Sequence, residues 1–345
     1  MKPITLTKAQ EERARELHEK YLFIDCLCGN LINPEPPERD GKTYLQRVLE
    51  SGANIQSITL SSPQASFEGV LKDMYGYYNL FKYYPDKVMQ IKTVEDIETA
   101  KKTGRLGVIF SLQNSAAMGQ DFYKWSIMAE LGLKICQLTY MEPNLYGSGC
   151  LDKANQGITY WGEQAIREMN RQGIVVDLSH VGERTSLEAI DYSSKPCIFS
   201  HSNSLTVCST SNRNLTDEMI KNCAAKGGVI CLNAHGFVCH KEVGVQGTLE
   251  DYMAHFEYLG NLVGADHIGI GTDIYEYYTK QYWECKTKLL YNSPWFFETV
   301  FNRDVQRVDQ YINITRGLVA LGFSDNDIEK ILGGNLLRVF KETWK

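Results

Sequence analysis

Eight short apolar runs, rich in isoleucine, valine and leucine, alternate with helical patterns along the chain, and this alternation narrows the fold more than any other feature. The runs are Leu22–Cys26, Asn54–Leu60, Leu106–Gln113, Ile135–Tyr140, Ile174–His180, Cys197–Ser202, Gly228–Asn233 and His267–Asp273. Their near-continuous hydrophobicity suits strands buried on both faces, as in a parallel sheet. Helical patterns at Ser126–Leu131, Tyr160–Gln172, Glu183–Ser193, Thr216–Lys226 and Leu249–Val263 precede the fourth to eighth runs. Thr216 fits an N-cap and Gly227 a C-terminal stop. Strand and helix alternating eight times predict a (β/α)8 TIM barrel; a doubly wound open sheet is the runner-up, but no glycine fingerprint follows the first strand. With 345 residues, the chain reads as one domain, residues 1–345, with an N-terminal helix, an aromatic-rich insertion at about 275–299 and a last helical segment around Ser324–Thr343.

A net charge of −6 without a long basic run argues against nucleic acid as a partner. The charged N-terminal segment has no apolar stretch of the kind a secretory signal needs, and no run of eighteen apolar residues offers a membrane span. Ten cysteines without framework spacing read as reduced thiols, which places the protein in the cytoplasm.

Barrel enzymes keep their chemistry at the C-terminal strand ends. The polar residues there are Asp25 with Cys26 and Cys28, Gln113, Tyr140, His180, His201, Asn233 and Asp273. Any one of them could simply cap a helix or satisfy a turn. His180, His201 and Asp273 together, ending the fifth, sixth and eighth runs, favour a site. Other candidates have blander readings. His18 and His255 read as solvated helix residues, His235 and His240 as surface loop residues, His267 as structural and Glu142 as an exposed loop acid. Tyr275 and the aromatic stretch after it could line the pocket mouth or form a dimer contact.

Several motifs, taken in order, resemble the membrane (renal) dipeptidase family of zinc peptidases: DLSHVG at Asp177–Gly182, FSHSNS at Phe199–Ser204, NRNLTDEMI at Asn212–Ile220, GGVICLN at Gly227–Asn233, GADHIGIGTD at Gly264–Asp273 and ILGGNLLRVF at Ile331–Phe340. The resemblance implies a TIM barrel of the metal-dependent-hydrolase type, a homodimer, and a two-zinc site that cleaves small dipeptides. Carried over by position, it places metal-binding histidines at His180 and His201, an assisting aspartate at Asp273 and a carboxylate-gripping arginine at Arg213. The family's His-x-Asp pair falls on Leu27 and Gly29, its bridging glutamate on Gln113, and its fourth-strand histidine near Tyr140 or Met141, with Asn144 close by as a further substrate contact.

The resemblance thus implies a divergent member with an incomplete metal site. Leucine and glycine offer no ligand, and a neutral amide cannot bridge two cations as a carboxylate does. At most one zinc is expected, held by His180 and His201 with Asp273 or Gln113 as third ligand. Thiolates from Cys26 and Cys28 could substitute as soft ligands or a nucleophile. Inert packing is the preferred reading of both, because Asp25 sets the strand register against it. Three functions stay open. The first is a dipeptidase-like hydrolase acting on a dipeptide or other small carboxylate-bearing amide with a reduced zinc site. The second is a metal-free lyase or isomerase using His180, His201 and Asp273 as acid–base groups, with Tyr140 or Gln113 stabilising an oxyanion. The third is a non-catalytic binder of a small ligand.

Overall fold

The computed structural model describes residues 4–29, 31–32, 38–239, 242, 245–276 and 300–345. Among the described residues, nine parallel strands form one sheet: β1 Ile24–Cys28, β2 Ile55–Thr59, β3 Val88–Gln90, β4 Leu106–Leu112, β5 Leu133–Gln137, β6 Val175–Asp177, β7 Ile198–Phe199, β8 Val229–Leu232 and β9 Ile268–Ile270. The order is β1-β2-β4-β5-β6-β7-β8-β9, with β3 paired only to β4. The seam between the last strand and the first is closed by backbone bonds from Asp273 N to the Leu27 carbonyl at 2.9 Å and from Gly29 N to the Ile274 carbonyl at 2.8 Å. The molecule is therefore a (β/α)8 barrel, as the alternation predicts.

Side-chain alternation along the strands separates two cores. Ile24, Cys26, Ile55, Ile109, Ile135, Val175, Ile198, Val229 and Cys231 cluster with Leu336, Val339 and Phe340 of the last helix, Asn335–Thr343. Their strand neighbours Val108, Phe110, Cys136, Val176, Phe199 and Ile230 pack instead with helix residues such as Ile166, Met169, Ile190 and Ile220. The near-continuous apolar runs are explained by burial on both faces.

Each of the eight runs contains or overlaps a strand, though the later strands are shorter than their runs, and the helices Tyr160–Gln172 and Leu249–Val263 have the expected bounds. Thr216 accepts from the Met219 amide as an N-cap, and Gly227 adopts φ 79°, which glycine adopts without a steric penalty. The first strand lies two residues later than its run suggests, which brings Leu27 and Cys28 into it. Beyond the sequence expectation lie β3 and the helices Phe67–Tyr83 and Val94–Thr103; a three-residue edge strand, Val-Met-Gln, carries no periodic signal.

Three histidines expected at the surface are buried. His18 bridges Thr315 Oγ1 and the Ser51 carbonyl, each at 2.8 Å. His255 Nδ1 accepts from the Ser204 amide at 3.3 Å, and His235 packs edge-on against Phe237. His18 and His255 sit on the inner faces of their helices and His235 in a buried loop, placements that single-residue reading could not choose. His267 is structural as expected, with Nδ1 at 2.9 Å from the Gly228 carbonyl. Glu142 is exposed. His240 and residues 277–299 of the insertion lie outside the described residues.

Candidate active site

The residues just beyond β6 and β7 bring His180 and His201 together. His180 follows β6 in a left-handed conformation, φ 65°, and Asp273, beyond β9, does the same at φ 57°. Non-glycine residues rarely hold this backbone geometry, and when they do they often mark functional sites. The two imidazoles meet directly: His180 Nε2 is 2.9 Å from His201 Nε2. Gln113, at the end of β4, places its amide nitrogen 3.2 Å from the same His201 atom. Tyr140 lays its ring against His180, with centroids 4.2 Å apart.

Arg213 is buried behind this pair. Its Nε donates to His180 Nδ1 at 2.9 Å, one terminal nitrogen to Ser202 Oγ at 2.7 Å, and the other to the His201 carbonyl at 2.8 Å. On the far side, His201 Nδ1 is 2.7 Å from Ser200 Oγ, which donates to Asp177 Oδ2 at 2.6 Å. Asp177 also accepts from the Ser179 and Ser200 amides, each at 2.9 Å. Burial, reinforced by the Arg213 charge, holds both imidazoles well below the usual histidine range.

Asp273 stands to one side, joined to the pair through Asn233, whose amide is 3.2 Å from Asp273 Oδ2 and 3.4 Å from the His201 carbonyl. Burial pushes its carboxyl up from 3.8 to about 7, opposed by hydrogen bonds from Asn233 and Tyr275 and by the Arg213 charge. The folded protein therefore holds this proton more tightly than the unfolded chain. The group's favourable contribution is complete below about pH 4 and is lost as the pH rises through about 7. Asp273→Asn removes this dependence. In urea denaturation the variant gains up to ~4 kcal/mol over the wild type at pH 8 and nothing at pH 4. An equal difference at both pH values would show that Asp273 does not titrate in the fold.

These contacts do not meet the demands of a zinc site. Among the described residues no group of three His, Cys, Asp or Glu side chains converges on a point that could hold a metal. A metal-bound imidazole keeps one nitrogen for the ion and donates the other to a carboxylate or carbonyl. His201 meets that pattern through Ser200 and Asp177. His180 has the reverse, because its Nδ1 faces a guanidinium that can only donate. Position 29 also has no room for a ligand side chain. A Cβ on Gly29 would lie 2.7 Å from the Ile274 carbonyl and 3.1 Å from the Tyr275 ring. The residues present do not fit a zinc centre.

Other expected residues are placed differently. Cys26 belongs to the barrel-interior cluster and Cys28 to the sheet–helix cluster, and burial raises both thiols well above their ordinary value. Asn144 is engaged in its own loop: its amide donates to Asn114 Oδ1 and the Leu138 carbonyl, and its oxygen accepts from the Tyr146 amide. Asn144 and Tyr140 line a groove of about 740 Å³ with Phe67, Ala116 and Lys124. Sequence reasoning missed the supporting roles of Asp177, Ser200 and Ser202. The signal available was their place beside the histidines in DLSH and SHS.

A closed parallel barrel with its polar groups gathered at the C-terminal strand ends defines a (β/α)8 enzyme. The chain belongs to the membrane dipeptidase family, peptidase family M19, whose family model matches residues 11–280. It is 23% identical to the dipeptidase tcpJ of Claviceps purpurea, over 98% of this chain and 77% of that protein. In three further curated dipeptidases the match spans 52% to 62% of the relative's length. An amidohydrolase from Pseudomonas aeruginosa is similar in structure, with a TM-score of 0.86 and 29% identity over 96% of this chain and 99% of that one. A metallo peptidase from Rhodobacter sphaeroides, solved with a phosphinate mimic of the dipeptide L-Ala-D-Ala, shares the fold at a TM-score of 0.78 and 20% identity, over 94% of this chain and 99% of that one.

Proposed function

We propose that this protein is a hydrolase acting on a dipeptide or another small carboxylate-bearing amide, and that it works without zinc. The observation that carries the reading is the direct contact between His180 and His201 at 2.9 Å, with Arg213 on the outer nitrogen of His180. Hydrolysis of an amide needs a base to take a proton from water and an acid to deliver one to the leaving nitrogen. Neutral imidazoles supply the base, and a carboxyl held near neutrality, Asp273, supplies the acid. The groove bounded by Tyr140, whose ring packs on His180, has a volume of about 740 Å³, within the usual range for small-molecule sites. Dipeptidases among the sequence relatives support the substrate class.

The described cysteines are all free, which fits a reducing compartment, the cytoplasm. Among the described residues no helix is long and apolar enough to cross a membrane. A homodimer is the assembly that the family resemblance implies, and sedimentation tests it.

The functional test is a panel of dipeptides and N-acyl amino acids, assayed before and after chelation, with elemental analysis of protein purified without added metal. Turnover that survives chelation, in protein carrying far less than one zinc per chain, is the expected result. Loss of turnover on chelation, restored by one equivalent of zinc, would overturn the metal-free reading.

A further inference from the structure

We propose that Arg213 is a positioning residue that gives the two imidazoles opposite, fixed polarity, making His180 the hydrogen-bond donor and His201 the acceptor within the pocket. This deepens the proposed function, and its catalytic part rests on that reading. The argument comes from what each group in the chain is able to do. A guanidinium N–H only donates, so His180 Nδ1, 2.9 Å from Arg213 Nε, must accept. A neutral imidazole has one donor and one acceptor, so the His180 proton is on Nε2. That atom faces His201 Nε2 at 2.9 Å, which therefore accepts. The His201 proton is then on Nδ1, directed at Ser200 Oγ at 2.7 Å, and the serine passes its own hydrogen to Asp177. The run begins in a group that cannot accept and ends in a carboxylate that cannot donate when ionised. Both ends impose the same direction, so no internal flip is compatible with the whole. The Gln113 amide nitrogen, 3.2 Å from His201 Nε2, is a second donor to the same lone pair.

The arginine is itself held. Ser202 Oγ and the His201 carbonyl take one N–H from each terminal nitrogen, so three of its five N–H groups are used within the protein. In the reaction, His180 Nε2–H turns from His201 to the substrate carbonyl oxygen as negative charge develops on it, which frees the His201 Nε2 lone pair to receive the proton of the attacking water; Asp273 protonates the leaving nitrogen, and His201 then returns its proton to solvent, from which Asp273 is reprotonated. Two identical side chains thus receive two roles from their outer partners.

The experiment is a ¹⁵N–¹H correlation of histidine side chains in ¹⁵N-labelled, substrate-free protein at pH 8, with His180→Gln and His201→Gln used to assign the signals. The expected wild-type result is a proton on Nε2 of His180 and on Nδ1 of His201. Arg213→Met should give His180 a mixture of tautomers and lower kcat by about 10²-fold with KM nearly unchanged; Arg213→Lys, which keeps a donor, should restore part of both. A wild-type His180 protonated on Nδ1 would overturn the proposal. So would an Arg213→Met variant whose tautomers are unchanged and whose only defect is a raised KM, the behaviour of a clamp for the substrate carboxylate. Should the variants fail to fold, the wild-type spectrum alone decides. The expected tautomers in a protein that turns over no amide would uphold the proposal and reject the substrate reading instead.

Discussion

Replacing His201 with alanine lowers kcat by 10²–10⁴-fold, the range that general acid–base groups supply, and the loss is the same before and after chelation. The reason is positional. His201 Nε2 carries the lone pair on which His180 and Gln113 both converge, and its other nitrogen leads through Ser200 to Asp177. No neighbouring base takes over, because the outer nitrogen of His180 is occupied by Arg213 and Asp273 is reached only through Asn233. His201 is fully buried, so the alanine variant also loses packing, and its fold must be verified by circular dichroism before kinetics are compared. Normal turnover in a folded variant would exclude His201 from the chemistry. A defect that appears only with zinc present would return the protein to metal-assisted hydrolysis.

The largest loss of stability is expected at Asp25, outside the reaction itself. This buried carboxylate accepts from the Thr272 amide at 2.9 Å, the Tyr311 hydroxyl at 2.6 Å, the Leu27 amide at 3.3 Å and the Thr272 hydroxyl. It thereby fastens β1 to the segment after β9 at the seam where the barrel closes, one residue from Asp273. Asp25→Ala leaves those donors without a partner in a dry interior, at about 1–3 kcal/mol for each that water cannot reach, so a loss of at least ~3 kcal/mol is expected in urea denaturation. Burial raises the Asp25 carboxyl to about 6, so its own contribution is greatest below about pH 4 and declines as the pH rises through 6. The cost of the substitution should therefore be larger at pH 4 than at pH 8. A change below 1 kcal/mol at both would mean that the seam is held by the backbone bonds alone.

These two residues differ in how readily the sequence reveals them. His201 stands out because histidine at a strand end is chemically conspicuous and SHS follows a short apolar run. Asp25 stands out only as a neighbour of the vanished His-x-Asp pair, and its bonds to Thr272 and Tyr311 cross 247 and 286 positions of the chain. No local pattern carries such a pairing. The same holds for His18 and His255, which look like solvated helix positions until the opposing surfaces, Thr315 and Ser204, are in place.

From the sequence alone followed the barrel, the ring of strand ends that carries its polar groups, the family, and the absence of ligands at Leu27 and Gly29. These are local or periodic properties: apolar runs buried on both faces, caps, glycine stops and residue identity at matched positions. Only the tertiary structure decided what the remaining site became. Whether two histidines face a cation or each other depends on where Arg213 lies, and it reaches them from 33 and 12 positions further along the chain. Hydrogen-bond direction depends on which donor-only and acceptor-only groups stand at the two ends of a chain of contacts. That is a matter of three-dimensional placement, which residue identity and spacing do not specify.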